Sequence, residues 1–231
     1  MGTQLYYADC SFGKDSMAMV YRLIEEGRPL DAVRFFDTGM EFDAIYRERD
    51  RMRGFLAENK IGYIELRPKD PFWWSMFCRP VRKRGTNEIH KSGYGWCGGP
   101  CRWGTTAKQA ALDRHQRENG AIVYVGIAAD ETKRIAKNSE PGIVLPLVDY
   151  GMTEADCLDY CYRHGATWKE DGVRLYDVLD RVSCWCCRNK NMAELRAIHD
   201  KLPKYWRLLE GMELSLGQMK TKSLRDIVGE D

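Results

Sequence analysis

Apolar positions along this chain follow two periodicities that take turns. Residues 4–10, with Leu5, Tyr6 and Tyr7, form a short apolar run that ends in a turn at residues 11–13. In residues 15–26 that follow, Met17, Val20, Tyr21 and Ile24 recur on one helical face, and Gly27 suits a stop. The unit then repeats. Residues 32–36 are mostly apolar, Asp37-Thr38-Gly39 turns, and residues 42–59 read as a charged amphipathic helix, with a third strand expected at 63–66. Strands alternating with helices of this length predict an α/β fold, a parallel sheet with helices on both faces.

Between residues 68 and 103 the pattern dissolves into Trp, Gly, Pro and Arg, which reads as an irregular insertion or lid. Regularity returns with a helix at 105–119, an apolar strand at 121–128, a short strand at 144–148 and a helix at 153–164. Thr153 followed by Asp156 resembles a capping box at the start of that helix. From about residue 177 a cysteine cluster precedes helices near 192–201 and 204–212, and the polar end, 220–231, is expected to fray. The expected organisation is a nucleotide-binding domain over residues 1–176 carrying the insertion, with residues 177–231 as a cysteine-rich helical appendage packed on it.

A chain of 231 residues, 44% of them hydrophobic, buries one substantial core. Its 36 basic and 34 acidic residues nearly cancel, so no global field calls for a polyanion. A local strip of Arg79, Arg82, Lys83, Arg84 and Lys91 near Trp73, Trp74 and Trp96 reads either as a solvated loop or as a seat for a polyanionic substrate. The start of the chain lacks the pattern of a signal peptide, and no run is apolar for the ~18 residues a membrane span needs. Nine clustered cysteines then suggest metal or redox chemistry in a cytoplasmic protein rather than disulfides.

Two motifs carry chemistry. Ser11-Phe12-Gly13-Lys14-Asp15-Ser16 sits between a strand and a helix start, where backbone N–H groups and the helix dipole favour a phosphate and Lys14 adds a full charge. It is neither a Walker A loop nor a Gly-x-Gly-x-x-Gly fingerprint. Cys97 with Cys101, and Cys184 with Cys187, are two close pairs, and four thiolates suit either zinc or an iron–sulfur cluster. Cys186 is a spare ligand, Cys10, Cys157 and Cys161 read as core residues, and Cys78 stays open. His115 and His199, in charged helices, are expected to be solvated.

The phosphate motif resembles the pyrophosphate loop of the adenine nucleotide alpha hydrolase (PP-loop) superfamily, in the form found in the phosphoadenosine phosphosulfate (PAPS) reductase family. Asp37-Thr38-Gly39-Met40-Glu41-Phe42, then Gly126-Ile127-Ala128-Ala129-Asp130-Glu131 with Arg134, then Pro146-Leu147 through Thr153-Glu154-Ala155-Asp156 are similar to later segments of that family in the same order. Ala128 departs from it, standing where many relatives carry arginine.

The resemblance implies that residues 11–16 hold the phosphates, that Asp37, Thr38 and Gly39 lie beside adenine and ribose, and that Gly126 and Asp130 belong to the nucleotide site. Lys14, Asp15 and Arg134 become the candidate catalytic groups, with Asp15, Asp37 or Asp130 as Mg²⁺ contacts; an ordinary Asp130–Arg134 surface pair is the plainer reading of those two. Residues 181–187 resemble a cysteine-rich segment of metal-binding branches of the family, some of which carry a [4Fe-4S] cluster, and cysteine-only ligation fits a cluster, with Zn²⁺ as the alternative. Sulfonate reductases of the thioredoxin-dependent kind use a cysteine near the C-terminus, but here Cys187 is the last one. The second route that the resemblance implies is ATP-dependent adenylation coupled to sulfur transfer, with a tRNA or DNA acceptor and a sulfur-donor protein as partners. A sulfonucleotide reductase and a non-catalytic nucleotide sensor are the alternatives.

Overall fold

A computed structural model describes residues 4–138 and 140–229. In chain order the elements are β1 (Tyr6–Asp9), α1 (Lys14–Glu25), β2 (Ala32–Phe36), α2 (Asp43–Glu58), β3 (Gly62–Leu66), β4 (Pro80–Arg82), β5 (Ile89–Ser92), α3 (Ala107–Asn119), β6 (Ile122–Val125), α4 (Thr132–Ile135), β7 (Ile143–Val144), α5 (Pro146–Asp149), α6 (Glu154–Arg163), β8 (Lys169–Glu170), β9 (Val173–Arg174), α7 (Met192–Lys201), α8 (Pro203–Leu216) and α9 (Leu224–Val228). None of these helices is long and apolar enough to cross a membrane. The chain divides into two compact units. One comprises Met1–Asp37, Asp43–Leu66 and Ala110–Trp168; the other comprises Thr38–Phe42, Arg67–Gln109 and Lys169–Asp231.

The first unit is the α/β fold that the alternating pattern predicts. Five parallel strands run in the order β3-β2-β1-β6-β7. Side chains alternate across each strand, so Tyr7, Asp9 and Arg34 share a face. There the Tyr7 ring lies 5.4 Å from that of His115 on α3, and the Arg34 guanidinium donates to the Leu112 carbonyl. The opposite face carries Phe35, whose ring meets Phe12 edge-on at 4.9 Å. Buried at 1% exposure within an otherwise apolar strand, Arg34 is tolerated because Asp9 takes its charge at 2.8 Å. Helix α1 packs along α6, and Trp168, the largest fully buried side chain, donates its indole N–H to the Phe12 carbonyl at 2.8 Å.

The second unit has little regular structure. It holds two short hairpins, β4–β5 and β8–β9, two wide single turns at Trp74–Cys78 and Arg102–Thr106, and helices α7–α9 packed through Leu195, Ile198, Leu209 and Leu224. Residues 67–109 group with the C-terminal part of the chain, where a boundary at 176 would have left them with the sheet. Hydrogen bonds explain the grouping: Asn189 both donates to and accepts from Gly99, and the Trp96 indole donates to the Gly217 carbonyl at 2.7 Å.

Several expected boundaries move. The strand expected at 144–148 stops at Val144, and Pro146 begins the short helix α5 instead, since proline lacks a ladder N–H and its fixed φ suits a helix start. The helix expected from residue 105 starts at Ala107, after the wide turn. In the tail expected to fray, Ser223 and Asp226 form a reciprocal capping box that starts α9, with Glu230 and Asp231 outside the described residues. The Thr153–Asp156 box forms as its spacing suggests.

Candidate nucleotide loop and cysteine cavity

Strand order reverses at β1: the chain moves to β2 and β3 on one side and returns to β6 and β7 on the other. Loops leaving the carboxyl ends of two such strands diverge and open a crevice, the usual ligand position in open parallel sheets. The loop Ser11-Phe12-Gly13 leaves β1 at this point and delivers the N-terminus of α1. Phe12 holds φ at 58°, a left-handed conformation unfavourable for a residue with a Cβ. Burial of its ring against Phe35 and Tyr63, together with the Trp168 hydrogen bond, fixes it there.

Gly13 is the N-cap, and no side chain caps the helix. The Ser16 hydroxyl instead bonds within the loop, to the Ser11 N–H at 3.2 Å and the Gly13 carbonyl at 3.1 Å. Gly126, just past β6, has a reason to lack a side chain: a Cβ there would lie 2.8 Å from Ser16 Cα and 3.0 Å from Ser16 N.

Charge gathers beside the loop. Lys14 Nζ lies 2.8 Å from Asp15 and 3.0 Å from Glu154. Burial opposes its charge, but these two carboxylates outweigh that and hold its pKa above the ordinary value. Burial pushes Asp15 up; Lys14 pulls the other way, and Glu154 and Glu131 add to the rise. Asp15, Glu131 and Glu154 bring carboxylate oxygens within 4.8 Å of one another, and this is the trio of potential ligands that converges among the described residues. Of the three carboxylates the sequence suggests for Mg²⁺, only Asp15 belongs to it. Asp37 accepts from the Tyr46 hydroxyl at 2.8 Å, and Asp130 accepts from the Glu154 N–H at 3.1 Å. Arg134 pairs with Glu131 at 2.6 Å, not with Asp130. Glu131 and Glu154 lie in two of the segments that carry the family resemblance, but nothing in the sequence between them, which spans α4 and α5, marks the two as neighbours.

The second unit contains a cavity of ≈ 250 Å³ into which Cys97, Cys101, Cys184, Cys186 and Cys187 all face. Cys101 caps the wide turn at Arg102–Thr106, its sulfur accepting from the Gly104 N–H at 3.4 Å. A hydrogen bond from Cys97, reinforced by the N–H groups of Gly104, Trp103 and Thr105, pulls the Cys101 thiol down to about 5, while Cys97 is pushed up as the partner that keeps its proton. Burial pushes Cys184 up, and the Glu41 carboxylate adds to it; its sulfur lies 3.6 Å from the Thr38 hydroxyl and 3.5 Å from Glu41 Oε1. Thr38, expected beside the ribose, is within hydrogen-bond reach of a cysteine of this cavity. Tetrahedral zinc at about 2.3 Å from each sulfur requires sulfurs about 3.8 Å apart; among the described residues no three cysteine sulfurs come within 4.8 Å of one another.

Of the buried polar groups that line the cavity with the sulfurs, Lys190 and the Trp103 indole are the least satisfied. Lys190, 2% exposed, lines the cavity with no ion pair among the described residues, and its ammonium reaches the Arg181 carbonyl at 3.5 Å. Burial pushes its pKa down, against the pull of Glu194 and the thiols. The buried Trp103 indole N–H, also on the lining, finds no acceptor among the described residues. Neither residue carried a signal in the sequence, because lysine and tryptophan are common and only burial makes them unusual. Elsewhere, Cys10, Cys157 and Cys161 are core residues, burial pushing Cys157 up to about 12, and Cys78 is exposed. His115 and His199 are half-buried against Tyr7 and Trp206, contrary to the expected solvation.

No protein-family model matches the chain. An uncharacterized protein of Methanocaldococcus jannaschii, MJ0066, is 26% identical over 213 residues, which cover 87% of this chain and 40% of that protein. The chain thus spans well under half the length of this curated relative. Among solved structures, the U34-tRNA thiolase NcsA from Methanococcus maripaludis with its [4Fe-4S] cluster aligns over 98% of this chain and 80% of its own, at 15% identity and a TM-score of 0.47. A likeness of that extent carries no statement about chemistry.

Proposed function

We propose that this chain is a PP-loop enzyme that binds ATP or a related adenine nucleotide, activates an acceptor by adenylation with release of pyrophosphate, and couples that step to sulfur transfer. The observation that supports it most is the loop after β1. It is held in a left-handed turn by buried aromatics, starts an uncapped helix, and sits where the strand order reverses. Backbone N–H groups there suit the phosphates of the nucleotide, and Lys14 supplies charge for the leaving pyrophosphate. Asp15, Glu131 and Glu154 are suited to hold Mg²⁺ against those phosphates. Arg134, already neutralised by Glu131, contributes only if that pair opens.

The cysteine cavity fits a [4Fe-4S] cluster better than zinc. Its five thiols form an all-sulfur donor set, and among the described residues its lining offers three cations without an ion pair, Arg181, Arg188 and Lys190, and the unsatisfied Trp103 N–H for an anionic group. Cys97, Cys101, Cys184 and Cys187 are the ligands we assign, with Cys186 as the fifth thiol of the cavity. When bound, the cluster would supply a site for sulfur or redox chemistry. The protein's own contribution is to favour the Cys101 thiolate through the Cys97 hydrogen bond and three backbone N–H groups. A nucleic acid, tRNA or DNA, is the acceptor the reading favours, with a separate sulfur-donor protein.

The test pairs two assays on anaerobically purified protein. Equilibrium binding of ATP, with pyrophosphate release measured on wild type and Lys14→Ala, is expected to show ATP binding that falls about tenfold or more in the variant. Iron and acid-labile sulfide are expected near stoichiometry and lost in a Cys184→Ser/Cys187→Ser double variant. Sulfite release from PAPS without pyrophosphate release from ATP would replace the adenylation reading by sulfonate reduction; nucleotide binding with no turnover of any kind would replace it by a sensor.

A further inference from the structure

The hairpin β4–β5 takes no part in the proposed chemistry, yet it is the most lopsided charge feature of the molecule. Residues 79–92 carry five cations and one carboxylate, Glu88, in a chain whose total is only +2. Lys83 pairs with Glu88 at 3.0 Å and Arg79 pairs with Asp70, which leaves Arg82, Arg84 and Lys91 without an ion pair among the described residues, all three exposed. Arg82 is braced by the Asn87 carbonyl at 2.6 Å and Lys91 by the Tyr94 carbonyl at 3.2 Å, so both guanidinium and ammonium groups keep donors to spare.

The base of this hairpin is fixed rigidly to an aromatic turn. Gly93 donates to the Arg79 carbonyl at 2.7 Å, Tyr94 to the Ser75 carbonyl at 2.9 Å and Gly95 to the Met76 carbonyl at 3.0 Å. Gly93 adopts φ +68°, and a Cβ on it would lie 2.1 Å from the Met76 carbonyl oxygen, so only glycine permits this closeness. The turn so held presents Trp73 at 61% and Trp74 at 40% exposure, and the hairpin adds Ile89 at 52%. Two neighbouring exposed tryptophans, on a turn hydrogen-bonded to the base of a cationic hairpin, are costly to leave in water unless something covers them.

The geometry points to this face as a seat for single-stranded nucleic acid, with Arg82, Arg84 and Lys91 neutralising phosphates while Trp73 and Trp74 stack on unpaired bases. The placement of the aromatics favours this over a membrane surface. A loop that inserts among lipids carries its aromatics at the tip, whereas here the tip is Arg84-Gly85-Thr86-Asn87 and the tryptophans sit at the base. The inference rests on the proposed nucleic-acid acceptor. Its assay contains no ATP and needs no turnover, so failure of the adenylation chemistry leaves the outcome untouched.

The experiment measures fluorescence anisotropy of labelled U12 RNA and dT12 DNA with the holoprotein over 50–200 mM salt, alongside sedimentation with phosphatidylserine vesicles. Trp73→Ala/Trp74→Ala is expected to weaken binding about tenfold or more at every salt concentration and to leave the salt slope unchanged. Arg82→Gln/Arg84→Gln/Lys91→Gln is expected to flatten that slope by about 2, at roughly 0.7 per lost phosphate contact. Unchanged circular dichroism and iron content show that each variant folds. Preference between the two probes assigns RNA or DNA. Wild type that ignores both probes, variants that bind as well as wild type, or binding to vesicles alone would each overturn the proposal.

Discussion

Replacing Gly126 by alanine tests how the candidate nucleotide loop is built. The new methyl carbon would lie 2.8 Å from Ser16 Cα, 3.0 Å from Ser16 N and 3.1 Å from the Asp15 carbonyl carbon. Ordinary carbon contacts begin near 3.4 Å, so the backbone at the start of α1 must retreat by about 0.6 Å, and backbone, unlike a side-chain tip, cannot swing aside. Overpacking of this kind costs roughly 1–3 kcal/mol, which in a chain of this size lowers Tm by about 2–12 °C. Because the retreating atoms are the ones assigned to the phosphates, ATP turnover is expected to fall about tenfold as well, on the scale at which ~1 Å of misplacement costs about a hundredfold.

Gly54→Ala is the matched control. Gly54 lies exposed within α2, and a methyl added there would meet nothing within 4 Å, so the same chemical change removes backbone freedom from the unfolded chain and raises stability by about 0.5–1 kcal/mol. Thermal denaturation of both variants reads the packing, and ATP binding reads the site. A Gly126→Ala protein that melts with wild type would refute the close approach of β6 to α1; one that melts early but binds ATP normally would refute the placement of the phosphates.

Two further outcomes follow from the cysteine cavity. In metal-free protein, Cys101 is expected to be the first cysteine alkylated by iodoacetamide at about pH 6, with a rate that falls as pH drops through about 5, because its thiolate is stabilised by Cys97 and three N–H groups. The sign for stability follows: its pKa is depressed on folding, so the Cys101 contribution is complete above the ordinary thiol range, shrinks as pH falls and is gone below about 5. Labelling no faster than at exposed Cys78 refutes this. Lys190→Met is expected to raise Tm of the metal-free protein, by removing a buried charge without an ion pair, and to lower iron retention in the loaded one. A variant that loses stability without metal, or holds iron as wild type does, contradicts the role given to that charge.

The α/β class was legible in the order of the amino acids, because short apolar runs, each followed by a helical face, allow few other folds. So was the turn between β1 and α1, because Ser-Phe-Gly-Lys-Asp-Ser after an apolar run has a local physical meaning. Short-range signals failed where local propensity lost to chemistry at one atom, as at Pro146, or where a cap was overlooked, as at Ser223. The buried Arg34–Asp9 pair, the convergence of Asp15 with Glu131 and Glu154, and the setting of Lys190 and Trp103 left no trace in the sequence. Each depends on which distant segments fold against one another. Folding settles whether a charge meets a partner or is stranded away from water, and that environment, more than residue type, sets what the group can do.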